Sequence, residues 1–195
     1  HSYYKQNNIP IKLACPTARG SLFNLVELLI YLFPALRHHD KVNEYLYALR
    51  SNLTALNIIN YSGFILGDRS IVTSYAYRWN KWSDKNKFIE RVDRLEFLMP
   101  SPDYIIYLDV KPEVALKRIS ERPKRNYGLK DETHNRISEV IETYKEIMTK
   151  PIERLKNSRW YIVNANKNFD CVFKECVSFI SKIIELKFNE AEYEY

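Results

Sequence analysis

The sequence predicts an α/β fold in which helices cover both faces of a parallel sheet, a three-layer sandwich. Extended apolar stretches alternate with helical ones along most of the 195 residues. The later extended stretches, Tyr104 to Leu108 and Trp160 to Val163, are apolar at nearly every position, as strands buried on both faces must be. Composition agrees, since 46% of the residues are hydrophobic and 28% charged, enough for a compact core and too apolar for a disordered chain.

Taken in order, Ile9 to Ala14 is a short strand that stops at Cys15-Pro16, because proline disfavours helix in the residue before it. Leu22 to Leu36 is apolar at helical spacing and closes at Pro34 and the Arg37-His38-His39-Asp40 cluster. Tyr45, Leu46, Leu49, Leu53 and Leu56 recur at threes and fours and predict a helix from about Val42 to Ile59, ending before Asn60-Tyr61-Ser62-Gly63. Phe64-Ile65-Leu66 is a buried strand. Beyond a polar linker, Phe88 to Leu98 reads as helix, Tyr104 to Leu108 as strand, and Pro112 to Glu121 as a helix opened by proline. A long helix from about Glu132 to Leu155, a strand Trp160 to Val163 and a helix Phe169 to Leu186 follow, with a polar tail from Asn189 to Tyr195. One domain is expected over residues 1–188, with residues 189–195 as its tail.

Several classes are excluded or disfavoured. The longest apolar run, Leu28 to Leu36, is interrupted by Pro34 and falls far short of the ~20 residues that span a bilayer. No secretory address is legible, so a cytoplasmic protein without a membrane partner is expected. Cys15, Cys171 and Cys176 lack metal-ligand spacing and are expected as reduced thiols. Thirty lysines and arginines against 24 acidic residues give +6, which suits phosphates or nucleic acid. The basic residues are scattered over many elements, which ranks a nucleic-acid binder last. Only Gly20, Gly63, Gly67 and Gly128 exist, and their spacing makes neither G-x-G-x-x-G nor G-x-x-x-x-G-K-[ST].

In parallel sheets ligands sit beyond the carboxyl ends of the strands. Those positions are Gly67-Asp68-Arg69, Asp109 and Asn164-Ala165-Asn166. Asp68 can hold magnesium through its waters, and the Arg69 guanidinium can grip two phosphate oxygens in a planar fork. The competing reading is an Asp-Arg pair that merely caps the next helix.

The segment FILGDRSIVTSYAY, residues 64–77, resembles the thymidylate kinase family, in which a strand ends in Asp-Arg, then Ser or Thr, then Ala-Tyr. The similarity extends to PDYIIYLDVKPEVALKR, residues 102–118, and to Glu139-Val140 with Tyr144, like the helix behind that family's lid. The resemblance implies a P-loop NTPase-like fold and phosphoryl transfer from Mg2+-bound ATP to a pyrimidine deoxynucleoside monophosphate, dTMP first, in a homodimer. It assigns Asp68 to magnesium, and Arg69 to the phosphates between which the group moves. It gives Thr73, Ser74 and Tyr77 to the acceptor nucleotide, Arg19 to the acceptor phosphate and Arg50 to the acceptor base. Thr73 and Tyr77 read equally well as capping and packing residues.

The basic stretch from Arg118 to Arg136 lies at the family's mobile lid, which implies catalytic work for Arg122 and Arg125 and donor binding for Arg118. Positioned cations there would stabilise charge on a phosphoryl group in flight, and a lid excludes water. Asn164 and Ala165 correspond to the loop lying against the adenine of ATP.

The family's first strand, glycine-rich phosphate loop and first helix are not found in this chain, and the expectation is that they lie upstream of His1. By resemblance, the missing strand belongs between those at Phe64-Leu66 and Tyr104-Leu108. Arg78 replaces the glutamine common after Ala-Tyr, and either favours a differently charged substrate or points outward. A deoxynucleoside (thymidine) kinase and a non-catalytic nucleotide-binding relative are the alternatives.

Overall fold

The computed structural model describes residues 10–15, 40–79, 82–122 and 133–192. They fall into two compact units, one up to Pro102 and one from Asp103.

In the first unit, β1 (Ile11–Ala14) pairs in parallel with β2 (Phe64–Gly67), Ile11 opposite Phe64 and Ala14 opposite Gly67. Between them runs α1 (Asp40–Ile58), which contacts β1. Its buried stripe, Glu44, Ala48, Ser51, Ala55 and Ile58, advances by fours and threes, the step that keeps side chains on one helical face. Small residues dominate the stripe.

After β2 come α2 (Ile71–Arg78) and α3 (Lys85–Leu95). The sequence reading left α2 unassigned, because its eight residues offer barely two turns of periodicity. Ser70 supplies its cap. The buried face of α2, Ile71, Val72, Tyr75 and Ala76, meets the fully buried Phe88 of α3. Edge-on contacts from Tyr75 and Trp79 to that ring, at 6.5 and 6.1 Å between centroids, form the aromatic centre of this core. Asn52 of α1 ties down the end of α3, donating to the Leu95 carbonyl at 2.8 Å and accepting from the Leu98 amide at 3.3 Å. The helix expected to reach Leu98 therefore ends at Leu95 and continues as a turn.

In the second unit, β3 (Tyr104–Asp109) and β4 (Arg159–Asn164) pair in parallel, Tyr104 opposite Arg159 and Asp109 opposite Asn164. Between them lie α4 (Pro112–Ser120) and α5 (His134–Thr149), and α6 (Phe169–Glu192) follows. Alternation sends Tyr104 and Tyr161 to one face, where both rings meet Phe179 of α6. Tyr107 points to the other face and meets Tyr144 of α5 at 5.6 Å. Helices thus cover both faces of this strand pair, as the apolar strands require.

Two predicted boundaries are corrected here. The helix expected from Glu132 to Leu155 stops at Thr149, because Pro151 lacks an amide hydrogen, and a 3-10 turn, Glu153–Leu155, follows. The final helix runs to Glu192, into the stretch read as a polar tail. The helix expected over Leu22 to Leu36 lies outside the described residues.

Candidate active site

Register places the carboxyl ends of β1 and β2 side by side, and the Asp68 amide continues the ladder by donating to the Ala14 carbonyl at 2.8 Å. The exposed Asp68 carboxylate accepts a hydrogen bond from Cys15 Sγ at 3.4 Å. Arg69 adopts a left-handed backbone, with φ of 76°, alone among the described non-glycine residues. That turn carries its guanidinium over the ring of Tyr77, 5.8 Å from the centroid, within the range of a cation–π contact.

The capping alternative for Asp68-Arg69 fails on geometry. Ser70 occupies the cap position in extended backbone, and its Oγ accepts from the Val72 amide at 3.3 Å. Neither Asp68 nor Arg69 is committed to the helix start. Along α2 the half-buried Thr73, Ser74 and Tyr77 are interleaved with the buried core positions. Thr73 is no cap either, its amide donating to the Ser70 carbonyl at 3.0 Å inside the first turn. Arg50 is half-buried on α1, where Thr54 Oγ1 donates to its carbonyl at 3.0 Å. Arg19 lies outside the described residues.

Arg78 does not take the outward course, one of its two expected ones. It turns inward, with Nη2 2.8 Å from Glu96 Oε1 and Nη1 3.4 Å from Glu44 Oε1, while Nε donates to the Ser74 carbonyl at 3.2 Å. Glu44 also accepts from Arg91 Nε and Nη2, each at 2.9 Å. The hydrogen bond and charge of Glu44 raise the Arg91 guanidinium above its ordinary value, so it stays protonated. Glu44, Glu96 and Arg91 escaped the sequence reading, since residues 47 and 18 positions apart show no pattern. A glutamate on the otherwise small and apolar stripe of α1 was the available signal.

The second unit holds the other candidates. At the end of β4, Ala165 is buried and its amide donates to the Asp109 carbonyl at 2.8 Å. Asn164 Oδ1 accepts from both the amide and the side-chain nitrogen of Asn166 at 3.0 Å, and Asn166 Oδ1 accepts from the Lys111 amide at 2.8 Å. Arg118 joins this loop, Nη2 donating to the Lys167 carbonyl at 2.7 Å. The loop after β4, the turn after β3 and the end of α4 are thus one hydrogen-bonded assembly holding Arg118, Asn164 and Ala165.

Asp109 Oδ1 lies 3.5 Å from Lys145 Nζ of α5. Beside it, burial, together with the negative charge of Asp109, pushes the Tyr107 phenol up to about 12, so the ring stays neutral. Arg122 is exposed just past α4, and Arg125 lies outside the described residues. His134, which opens α5, bonds Glu113 of α4 at 3.1 Å.

These features define a parallel α/β protein whose polar and charged residues collect at the carboxyl ends of its strands, the arrangement of nucleotide-handling folds. The family model described as thymidylate kinase matches residues 27–176, and the chain belongs to that family. The chain is 33% identical over 134 residues to the thymidylate kinase of Mycoplasmoides gallisepticum, covering 67% of this chain and 59% of that relative. It is 38% identical over 117 residues to the thymidylate kinase of Clostridium novyi, 60% of this chain and 55% of the relative. A probable thymidylate kinase of Sulfolobus acidocaldarius is 33% identical over 117 residues, with 60% and 54% covered. The chain thus spans between half and three-fifths of the length of these curated relatives.

Proposed function

We propose that this chain serves the transfer of the γ-phosphoryl group of magnesium-bound ATP to the phosphate of dTMP. The bond from the γ-phosphorus to ADP breaks and one to an acceptor oxygen forms, giving dTDP. The observation that carries this reading is the exit of β2, where Asp68 is exposed and Arg69 is held in a left-handed turn over Tyr77, neither of them used to cap α2.

In this reading Arg69 clamps the phosphates, and Thr73, Ser74, Tyr77, Arg50 and Arg19 surround the acceptor. Arg122 and Arg125 belong to a lid at about residues 118–136 of a single kinase domain over 1–188. Arg118 joins Asn164 and Ala165 in holding the donor loop, acting through the Lys167 carbonyl. Asp68 suits magnesium: the ion keeps most of its waters, takes one or two carboxylates, and fills its remaining positions with phosphate oxygens. Among the described residues no three histidine, cysteine or acidic side chains converge on a metal position. When bound, the ion neutralises phosphate charge as it develops.

Catalysis here is positioning and charge stabilisation, so loss of the Arg69 guanidinium removes turnover without unfolding the protein. A coupled assay on full-length protein with ATP against dTMP, thymidine, dUMP and dCMP tests the reading. Turnover with dTMP that disappears in Arg69→Ala is expected; full activity in that variant refutes it, and turnover with thymidine alone makes the protein a nucleoside kinase. A cytoplasmic homodimer belongs to the same proposal, and sedimentation of the full-length protein tests the dimer. No described helix is long and apolar enough to cross a membrane.

A further inference from the structure

Three helices of the first unit meet at a buried cluster of charges. Glu44 comes from α1, Arg78 from α2, Arg91 from α3, and Glu96 from the turn that ends α3. Glu96 is fully buried and Glu44 nearly so, with 0% and 7% of their surfaces exposed. Two guanidinium groups face two carboxylates in this cluster. Each carboxylate reaches a guanidinium at 2.8 or 2.9 Å, and Arg78 bridges both. Burial makes these pairings consequential, because an uncompensated charge in this position costs far more than the pair itself contributes.

The set lies directly behind the candidate acceptor residues. Arg78 adjoins Tyr77 and donates to the carbonyl of Ser74, so it fixes the last turn of α2 from within. Through Glu44 it reaches α1, two turns before Arg50. Tyr75, between Ser74 and Ala76 on the buried face, adds a hydroxyl bond to Asp93 of α3.

We propose that Arg78 is a positioning residue for the acceptor nucleotide: by bonding Glu96 and the Ser74 carbonyl while pairing with Glu44 it sets α2 against α1 and so fixes Thr73, Ser74 and Tyr77 relative to Arg50. It contacts no substrate. This inference rests on the phosphoryl-transfer reading above.

Its test uses full-length protein and steady-state kinetics with each substrate varied. Arg78→Met removes the guanidinium that bonds Glu96 and the Ser74 carbonyl and lies against Glu44. A displacement of about 1 Å can cost roughly a hundredfold in an active site, and a smaller shift of α2 is expected to raise the acceptor KM on the order of tenfold. The ATP KM should stay unchanged. Arg78→Lys, which keeps the cation without the fork, should lie between wild type and Arg78→Met. The deciding comparison pairs Arg78→Met with Glu96→Gln: a residue that acts through Glu96 raises the acceptor KM in either single variant, and the double variant rises no further than Arg78→Met.

An acceptor KM unchanged in Glu96→Gln while Arg78→Met raises it would make Arg78 act independently of Glu96, as a direct substrate contact would, and overturn the inference. An unchanged acceptor KM with a lowered melting temperature would reduce the set to a structural brace and overturn it too. Should Arg78→Met fail to fold, the lysine and Glu96→Gln variants decide by the same KM comparison. Absence of turnover in the wild type would instead remove the functional reading, and this inference with it.

Discussion

Arg69 is the sharpest place to perturb, because its backbone and its side chain make opposite predictions. A left-handed φ of 76° brings Cβ against the following carbonyl and costs an ordinary residue about 1–2 kcal/mol, which glycine does not pay. Glycine in turn loses about 0.5–1 kcal/mol more conformational freedom on folding than alanine does. Replacing Arg69 by alanine or by glycine removes the same guanidinium from over Tyr77, so that loss cancels in the comparison. What remains is a difference of about 0.5–1 kcal/mol in favour of Arg69→Gly, the left-handed penalty less the entropic one. Equilibrium urea unfolding of the two full-length variants measures it directly. Both should lose phosphoryl transfer, so the more stable variant would be as inactive as the less stable one. An alanine variant at least as stable as the glycine variant would refute the idea that strain is held at this position. Full turnover in either would refute the need for the guanidinium. Strain held at a strand exit makes sense when it aims a side chain that the chemistry requires.

Three further outcomes follow from particular contacts. A Cβ at Gly63 would stand 2.7 Å from the Pro10 carbonyl oxygen and 2.8 Å from the Tyr61 hydroxyl, and that carbonyl is held by the Phe64 amide at 3.1 Å. Gly63→Ala should therefore destabilise by about 1–3 kcal/mol in thermal unfolding, and an unchanged melting temperature would count against the tight approach of β1 to this turn. Asp84 caps α3 by accepting from the Lys87 amide at 3.1 Å, and this bond holds its carboxyl below the ordinary 3.8. A carboxylate lowered in the folded state stabilises above its unfolded value and loses that contribution as pH falls through the folded one. The stability gap between wild type and Asp84→Ala should narrow on acidification across that interval, and a pH-independent gap would refute the cap's charge dependence. Asn166→Ala removes the acceptor for the Lys111 amide at 2.8 Å. Losing one hydrogen bond of about 1 kcal/mol should raise the ATP KM roughly fivefold and leave the dTMP KM unchanged, whereas a reversed pattern would detach this loop from the donor.

The parts of the fold legible in the sequence are those where one local rule has no competitor. Tyr104 to Leu108 and Trp160 to Val163 are unbroken apolar runs too short for helices, so strand is the one local reading, and it holds although Leu108 and Ile162 stay exposed. The helix opened by Pro112 begins at that residue because its missing amide hydrogen is no loss there. Boundaries failed where a distant group decided them. Asn52 stops α3 at Leu95 from 43 positions away, and no local pattern announces it. The candidate site divides in the same way: Asp68 and Arg69 are legible as candidates because ligands sit at strand exits, a rule that needs no tertiary knowledge.

Arg78 shows what that rule cannot supply. From the sequence it was an additional cation beside a nucleotide pocket, and its charge argued for a different substrate. In the structure its partners lie on α1 and just past α3, 34 positions upstream at Glu44 and 18 downstream at Glu96. The same guanidinium is therefore engaged inside the first unit by two buried carboxylates. A charge counts towards specificity only after its internal partners have been subtracted, and that subtraction requires the tertiary fold.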